Sequence, residues 1–205
     1  MKLLYSPGAC SIGIHVLLEE IGKPYEAQLV NLREGGQFKP EFTAVNPKSK
    51  VPALVRDDGS VLTEYPAIAY WLARTNPDKK LLPDDVDAQA RVFEALDYCV
   101  STVHMQGFSR LFRASSYTPN PADEDKVKER GKEVAEKGFA LMDKALAGKD
   151  YVAGPFSIAD SALFYVEFWG AKRMNMKLPP NCDAHLNRML ARPAVQRVLQ
   201  QEGLN

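Results

Sequence analysis

The apolar positions of this chain fall into two regimes. Up to about residue 75, short strand-like runs alternate with helical stripes; from about residue 87 only helical stripes remain. Leu3, Leu4 and Tyr5 form an apolar run, read as a strand over Lys2–Tyr5 and broken by Pro7 and Gly8. From Ser11, apolar residues recur at helical spacing (Ile14, Leu17, Leu18, Ile21) as far as Gly22. That glycine suits a left-handed C-cap, and Pro24 beyond it prevents continuation. Residues 25–32 read as a second strand, and 33–47 as irregular, with one helical turn near 40–44. Residues 51–56 and 61–63, joined by Asp57-Asp58-Gly59-Ser60, spell a β-hairpin. Pro66 suits the first turn of a helix reaching Arg74. The predicted order, β-α-β followed by β-β-α, makes residues 1–78 an α/β domain.

The segment TNPDKKLLPDDVD carries two prolines among mostly polar residues, so the linker is set at 79–86 and an all-α domain at 87–205. Residues 86–112 show an apolar stripe at Phe93, Leu96, Val100 and Val103. Residues 122–147 form a charged helix in which Glu133 and Lys137 stand at the favourable i,i+4 spacing. Residues 158–170 are apolar nearly all round, which predicts a buried core helix. Ser157 and Asp160 open it as an S-x-x-D capping box. Two short helices, split before Pro193, close the chain.

With 45% hydrophobic residues in 205, the chain can bury a core without disulfides or metal. Lys and Arg total 26, as do Asp and Glu, and no run of like charge stands out. That balance argues against nucleic acid and against a basic membrane-binding patch. The N-terminal apolar run is too short for a signal peptide and no stretch is long enough to span a bilayer, so the expected location is the cytoplasm. Cys10, Cys99 and Cys182 are widely spaced and form no C-x-x-C pair, which supports neither a disulfide framework nor a zinc site. Cys99 falls near an apolar face and reads as core; Cys182 reads as a thiol in a proline-rich loop with no role. His15 and His185 read as half-exposed surface histidines.

Three places carry candidate chemistry. Cys10 follows a strand and a Pro-Gly break and opens a helix, where unpaired N–H groups favour thiolate over thiol. The alternative is a small buried hydrophobe. Pro52, just before a strand, is placed to be cis and to present the Val51 backbone to a ligand; an ordinary trans proline is the alternative. Glu64 stands at a helix start, either as a capping acid or as an acceptor for a ligand amine.

Together these motifs (SPGACS at 6–11, NPKSKVPAL at 46–54, TEYPAI at 63–68) and FSIADSALF at 156–164 resemble bacterial, cysteine-containing, beta-like glutathione transferases. The resemblance runs to RPAVQRVLQQEGL at the C-terminus. It implies a thioredoxin-like first domain, an all-helical second domain and a homodimer that uses glutathione as co-substrate with a hydrophobic electrophile. Cys10 is then implied to lie beside the glutathione sulfur, with Ser11 donating to the thiolate and His104 reaching the cleft from the 86–112 helix. Val51, before a cis Pro52, is implied to pair with the cysteinyl backbone. Glu64 and the N–H of Tyr65 would hold the γ-glutamyl end, and Lys50 the glycyl carboxylate. Asp97, which helical spacing places on one face with Ser101 and His104, is implied to reach the glutathione amine across the dimer. Phe108, Phe112 and Tyr117 are implied to contact the electrophile. Tyr5 resembles the catalytic tyrosine of other classes but reads here as packing. Conjugation is the leading activity, thiol-disulfide exchange through a Cys10–glutathione mixed disulfide the second, and a non-catalytic binding scaffold the third.

Overall fold

The computed structural model describes residues 1–204 of the 205. The chain forms two compact units: Met1–Leu82 together with the stretch from Met189 onward, and Pro83–Arg188.

In the first unit, β1 (Lys2–Tyr5), β2 (Glu26–Leu29), β3 (Ala53–Val55) and β4 (Val61–Thr63) form one sheet in the order β2-β1-β3-β4. β1 pairs parallel with β2 and antiparallel with β3, and β3–β4 is the expected hairpin. α1 (Ser11–Ile21) makes the parallel crossover and stops where Gly22 adopts φ 73°, its N–H bonding the Leu18 carbonyl at 3.0 Å. α1 packs against β1, α3 (Tyr65–Arg74) and α9 (Pro193–Gln201), so it is buried on most sides rather than along one stripe. Leu4 and Ala53, paired on the two central strands, form a cluster with Val30, Phe42 and Val51 against which Ala9 packs. This cluster seats the backbone on both sides of the candidate site.

The fold differs from the sequence reading in three respects here. The second strand ends at Leu29, because the Asn31 side chain accepts from the Arg33 N–H and starts a 3-10 turn at Leu32–Glu34. The chain from Met189 onward groups with the first unit, since Val195, Val198 and Leu199 of α9 are buried and that helix packs on α1. Cys182 is no loop residue. Pro180 starts α8 (Pro180–Leu190), where its missing N–H costs nothing, and Cys182 is fully buried within that helix.

The second unit contains α4 (Val86–Asp97), which continues through π-helical turns at Tyr98–Phe108 into α5 (Ser109–Phe112). It also contains α6 (Glu124–Leu146), α7 (Ile158–Phe168) and α8 as far as Arg188. The π-helical segment lies close on α6: a Cβ on Gly131 would sit 2.8 Å from the Gly107 carbonyl oxygen, and one on Gly138 2.5 Å from Val103 Cγ2. In α6, Glu133 accepts from Arg130 at 2.8 Å, one turn back, rather than pairing forward with Lys137. α7 is buried on every side and carries the capping box of Ser157 and Asp160. Among the described residues no helix is long and apolar enough to cross a membrane, and no cluster of three or more His, Cys, Asp or Glu could hold a metal ion.

Candidate active site

Cys10 occupies the position just before the first turn of α1 and is partly exposed. The loop leading to it is closed locally: the Ala9 N–H bonds the Ser6 carbonyl at 2.9 Å, and Gly8 takes φ 62°, a conformation that favours glycine. Ser11, fully buried, donates its hydroxyl to the Ser6 carbonyl at 3.3 Å and accepts from the Ser6 N–H at 3.2 Å. Its hydroxyl is thus committed to shaping the loop, a different occupation from the thiolate contact that the resemblance implies. The Cys10 thiol donates to the Val51 carbonyl at 3.4 Å. The other two thiols are buried: Cys99 is pushed up by burial and by the charges of Glu167 and Asp160, Cys182 by burial and by Glu167 and Asp143. Of the three, only Cys10 is accessible to a reagent.

Val51-Pro52 is a cis peptide bond. Because Ala53 pairs with Thr63 across the hairpin, continuing that register sets Pro52 beside Glu64. Glu64 has φ 70° and ψ 124°, rare for a residue with a side chain and a mark of backbone held under strain. Its carboxylate makes no capping bond to α3. It accepts instead from Lys48 Nζ at 2.7 Å, and Lys48 also donates to the Thr63 hydroxyl at 2.9 Å. Tyr65 opens α3 and is buried. Buried Asn46 organises the approach to Val51, its amide donating to the Lys50 carbonyl at 2.7 Å and its side-chain oxygen accepting from the Lys48 N–H at 3.1 Å. The Lys50 side chain is exposed. Cys10, Val51, Pro52, Glu64 and Tyr65 therefore belong to one end of the sheet in the first unit.

The second unit carries the remaining predicted residues. His104 Nδ1 is 3.2 Å from the Tyr165 hydroxyl, and its ring stands edge-on to Tyr165 and Trp169. Asp97 and Ser101 share a face, the Ser101 hydroxyl donating to the Asp97 carbonyl at 2.7 Å, and both line a cleft of about 830 Å³. His104 does not line that cleft. The π-helical turns between them close hydrogen bonds to i+5, so the 3.6-residue period that groups Asp97, Ser101 and His104 in the sequence does not apply. Phe112 and Tyr117 are exposed, the first stacked near Phe108 and edge-on to Trp169, the second beneath the Arg110 guanidinium. Phe108 is fully buried, so it backs Phe112 and cannot itself touch a ligand in this structure.

A sequence profile described as the N-terminal domain of glutathione S-transferases matches residues 8–75. Glutathione S-transferase GstA of Escherichia coli O157:H7 is 38% identical over the whole of both chains. The chain belongs to the glutathione S-transferase family. Among solved structures, a beta class glutathione S-transferase from Sphingomonas chungbukensis is 36% identical with a TM-score of 0.87 over all of both chains. A sphingomonad glutathione S-transferase solved in complex with glutathione matches with the same identity, TM-score and coverage. The two-unit architecture of this transferase, a thioredoxin-like sheet domain and a helical domain, is that of the family.

Several residues of this family member escape a local reading. His15 and His185, expected at the surface, are both fully buried. His15 Nδ1 meets Glu202 Oε1 at 2.8 Å; His185 Nδ1 meets Glu167 Oε2 at 2.7 Å, with Asp160 Oδ1 3.4 Å from its Nε2. Each histidine is kept inside by a carboxylate distant in sequence. A signal was present: Glu167 stands near the end of a mostly apolar helix, and Glu202 falls four residues after Val198, continuing the buried stripe just past α9. Lys48 carried no such signal, since it stands 16 residues from Glu64 in the chain. Tyr5 is buried and keeps its proton firmly, its hydroxyl pushed up by burial and then by the Glu202 charge.

Proposed function

We propose that this protein is a bacterial beta-like glutathione transferase that conjugates glutathione to electrophilic small molecules, with the sulfur of bound glutathione beside Cys10. The observation that carries this reading is the position of the Cys10 thiol: partly exposed at the start of α1, and within reach of the carbonyl that precedes cis Pro52. In a thioredoxin-like fold, a ligand cysteinyl group that pairs with Val51 brings its sulfur to that helix start, where backbone N–H groups stabilise the thiolate that attacks the electrophile. Glu64 and the Tyr65 N–H take the γ-glutamyl end, and Lys50 the glycyl carboxylate. The resemblance assigns His104 to the thiol and the exposed aromatics Phe112 and Tyr117 to the electrophile.

The same thiol supports a second reading, thiol-disulfide exchange. The Cys10 thiolate attacks oxidised glutathione, forming a Cys10–glutathione disulfide and releasing one reduced glutathione. Intact-mass analysis after treatment with oxidised glutathione is expected to show one added glutathione, mapped to the peptide containing Cys10. Adduct only on Cys99 or Cys182 would overturn the assignment. Turnover of a chloronitrobenzene with reduced glutathione, compared with turnover of a mixed-disulfide substrate, distinguishes conjugation from exchange.

We further propose a homodimer in which Asp97, exposed at the end of α4, reaches the glutathione amine bound to the partner. Light scattering at micromolar concentration is expected to give twice the chain mass. A monomer would exclude this role, as would an Asp97→Ala variant that binds glutathione as well as Asp123→Ala does.

A further inference from the structure

The carboxylate of Glu202 lies 194 positions along the chain from the loop that carries Cys10, yet it is bonded to that loop. Glu202 follows the last turn of α9, its own N–H bonding the Val198 carbonyl at 2.9 Å, and its side chain is wholly buried. Oε2 accepts from the Gly8 N–H at 2.6 Å, and Oε1 lies 2.8 Å from His15 Nδ1. Gly8 is two residues before Cys10 and His15 five after it, so one carboxylate ties down the chain on both sides of the thiol. Both oxygens serve this end. The local bonds of the loop hold Ala9 and Ser6 to each other, and Glu202 supplies the acceptor for Gly8 at the residue where the backbone turns left-handed.

We infer that Glu202 is a positioning residue: it braces the Gly8–Cys10 loop against α1 and so sets where the Cys10 thiol stands relative to bound glutathione. The inference rests on the proposed glutathione chemistry at Cys10. The arrangement suits positioning better than stability alone, because a buried carboxylate can be satisfied by any two donors, whereas these two flank one reactive atom. Glu202 also bears on Tyr5 through its charge, so charge and position have to be separated by experiment.

The substitution Glu202→Gln removes the charge and keeps the shape: its amide oxygen accepts from Gly8 and its amide nitrogen donates to His15. Glu202→Ala removes both. In the full-length chain, with reduced glutathione and a chlorodinitrobenzene, E202A is expected to lose kcat by about tenfold or more, with KM for glutathione changed by less than about threefold. E202Q is expected to stay within about threefold of the parent in both. E202Q as impaired as E202A would show that the charge acts and not the position. E202A turning over like the parent would show that the brace has no role in the reaction. Either result overturns the inference.

Should E202A not fold, hydrogen exchange of the Gly8 amide in the parent and E202Q reads the contact directly. Protection is expected in both, and exchange at the rate of an exposed loop amide in the parent overturns the brace. If the parent shows no glutathione-dependent turnover, the proposed function fails separately. The brace is then read from the pH midpoint for alkylation of Cys10 by iodoacetamide, mapped by peptide mass. E202A and E202Q share their charge, so a midpoint higher in E202A by roughly half a pH unit or more is expected if the thiol has moved off the helix start. Equal midpoints overturn the inference.

Discussion

Calorimetric titration with glutathione is expected to show the Glu64→Gln variant binding at least about tenfold more weakly than the parent. A charge-assisted hydrogen bond to the γ-glutamyl ammonium contributes about 1.5–3 kcal/mol, equivalent to roughly ten- to hundredfold in affinity. The Glu64 side chain is 60% exposed in the unliganded chain, so solvent screening sets the expectation at the lower end of that range. The rival role, helix capping, predicts a different pattern: a less stable protein that binds normally. Glu64 makes no capping bond to α3, so its melting temperature is expected to move by only a few degrees. Its contact with Lys48 is an exposed ion pair and contributes little to stability. Near-parental affinity in a clearly destabilised Glu64→Gln protein would remove Glu64 from the ligand site.

The second large effect is on stability and its pH dependence. His185 is fully buried between Glu167 and Asp160. Burial works against charge on the imidazole, but the neighbouring carboxylates outweigh it and push the ring up to about 9. Glu167 is itself pushed up to about 7 by burial, against the pull of His185. Both groups therefore bind protons more tightly folded than unfolded. Their contribution is fully present at acidic pH and is lost as pH rises, through about 7 for Glu167 and about 9 for His185. Denaturant titrations between pH 6.5 and 9.5 are expected to show the parent losing on the order of 3 kcal/mol more than a Glu167→Gln/His185→Gln double variant. Removing only the imidazole leaves Glu167 buried without its partner, so His185→Ala is expected to cost about 3–5 kcal/mol near neutral pH. Parallel pH profiles for the parent and the double variant would show that the pair does not titrate in this way.

What the sequence determined by itself is whatever a few adjacent residues decide. Gly22 ends α1 because a left-handed residue is needed there, and Asp57-Asp58-Gly59-Ser60 closes the hairpin because it turns easily. Ser157 and Asp160 start α7 because they satisfy each other's backbone donors. The same local logic placed Cys10 at the start of one helix and Glu64 at the start of another, so the positions of both residues in the fold were legible before any coordinates. What the tertiary structure decided is how distant groups satisfy one another. His15 and His185 sit inside because Glu202 and Glu167 meet them there, and periodicity along one helix is blind to a partner on another. Lys48 meets Glu64 across 16 positions of the chain, and Ser11 is taken up by Ser6. Phe108 is sealed behind Phe112, and the π-helical turns separate His104 from the face of Asp97. For the two histidines one rule decides: a polar group enters the core only with a partner, and the partner is chosen by the fold rather than by its neighbours in the chain.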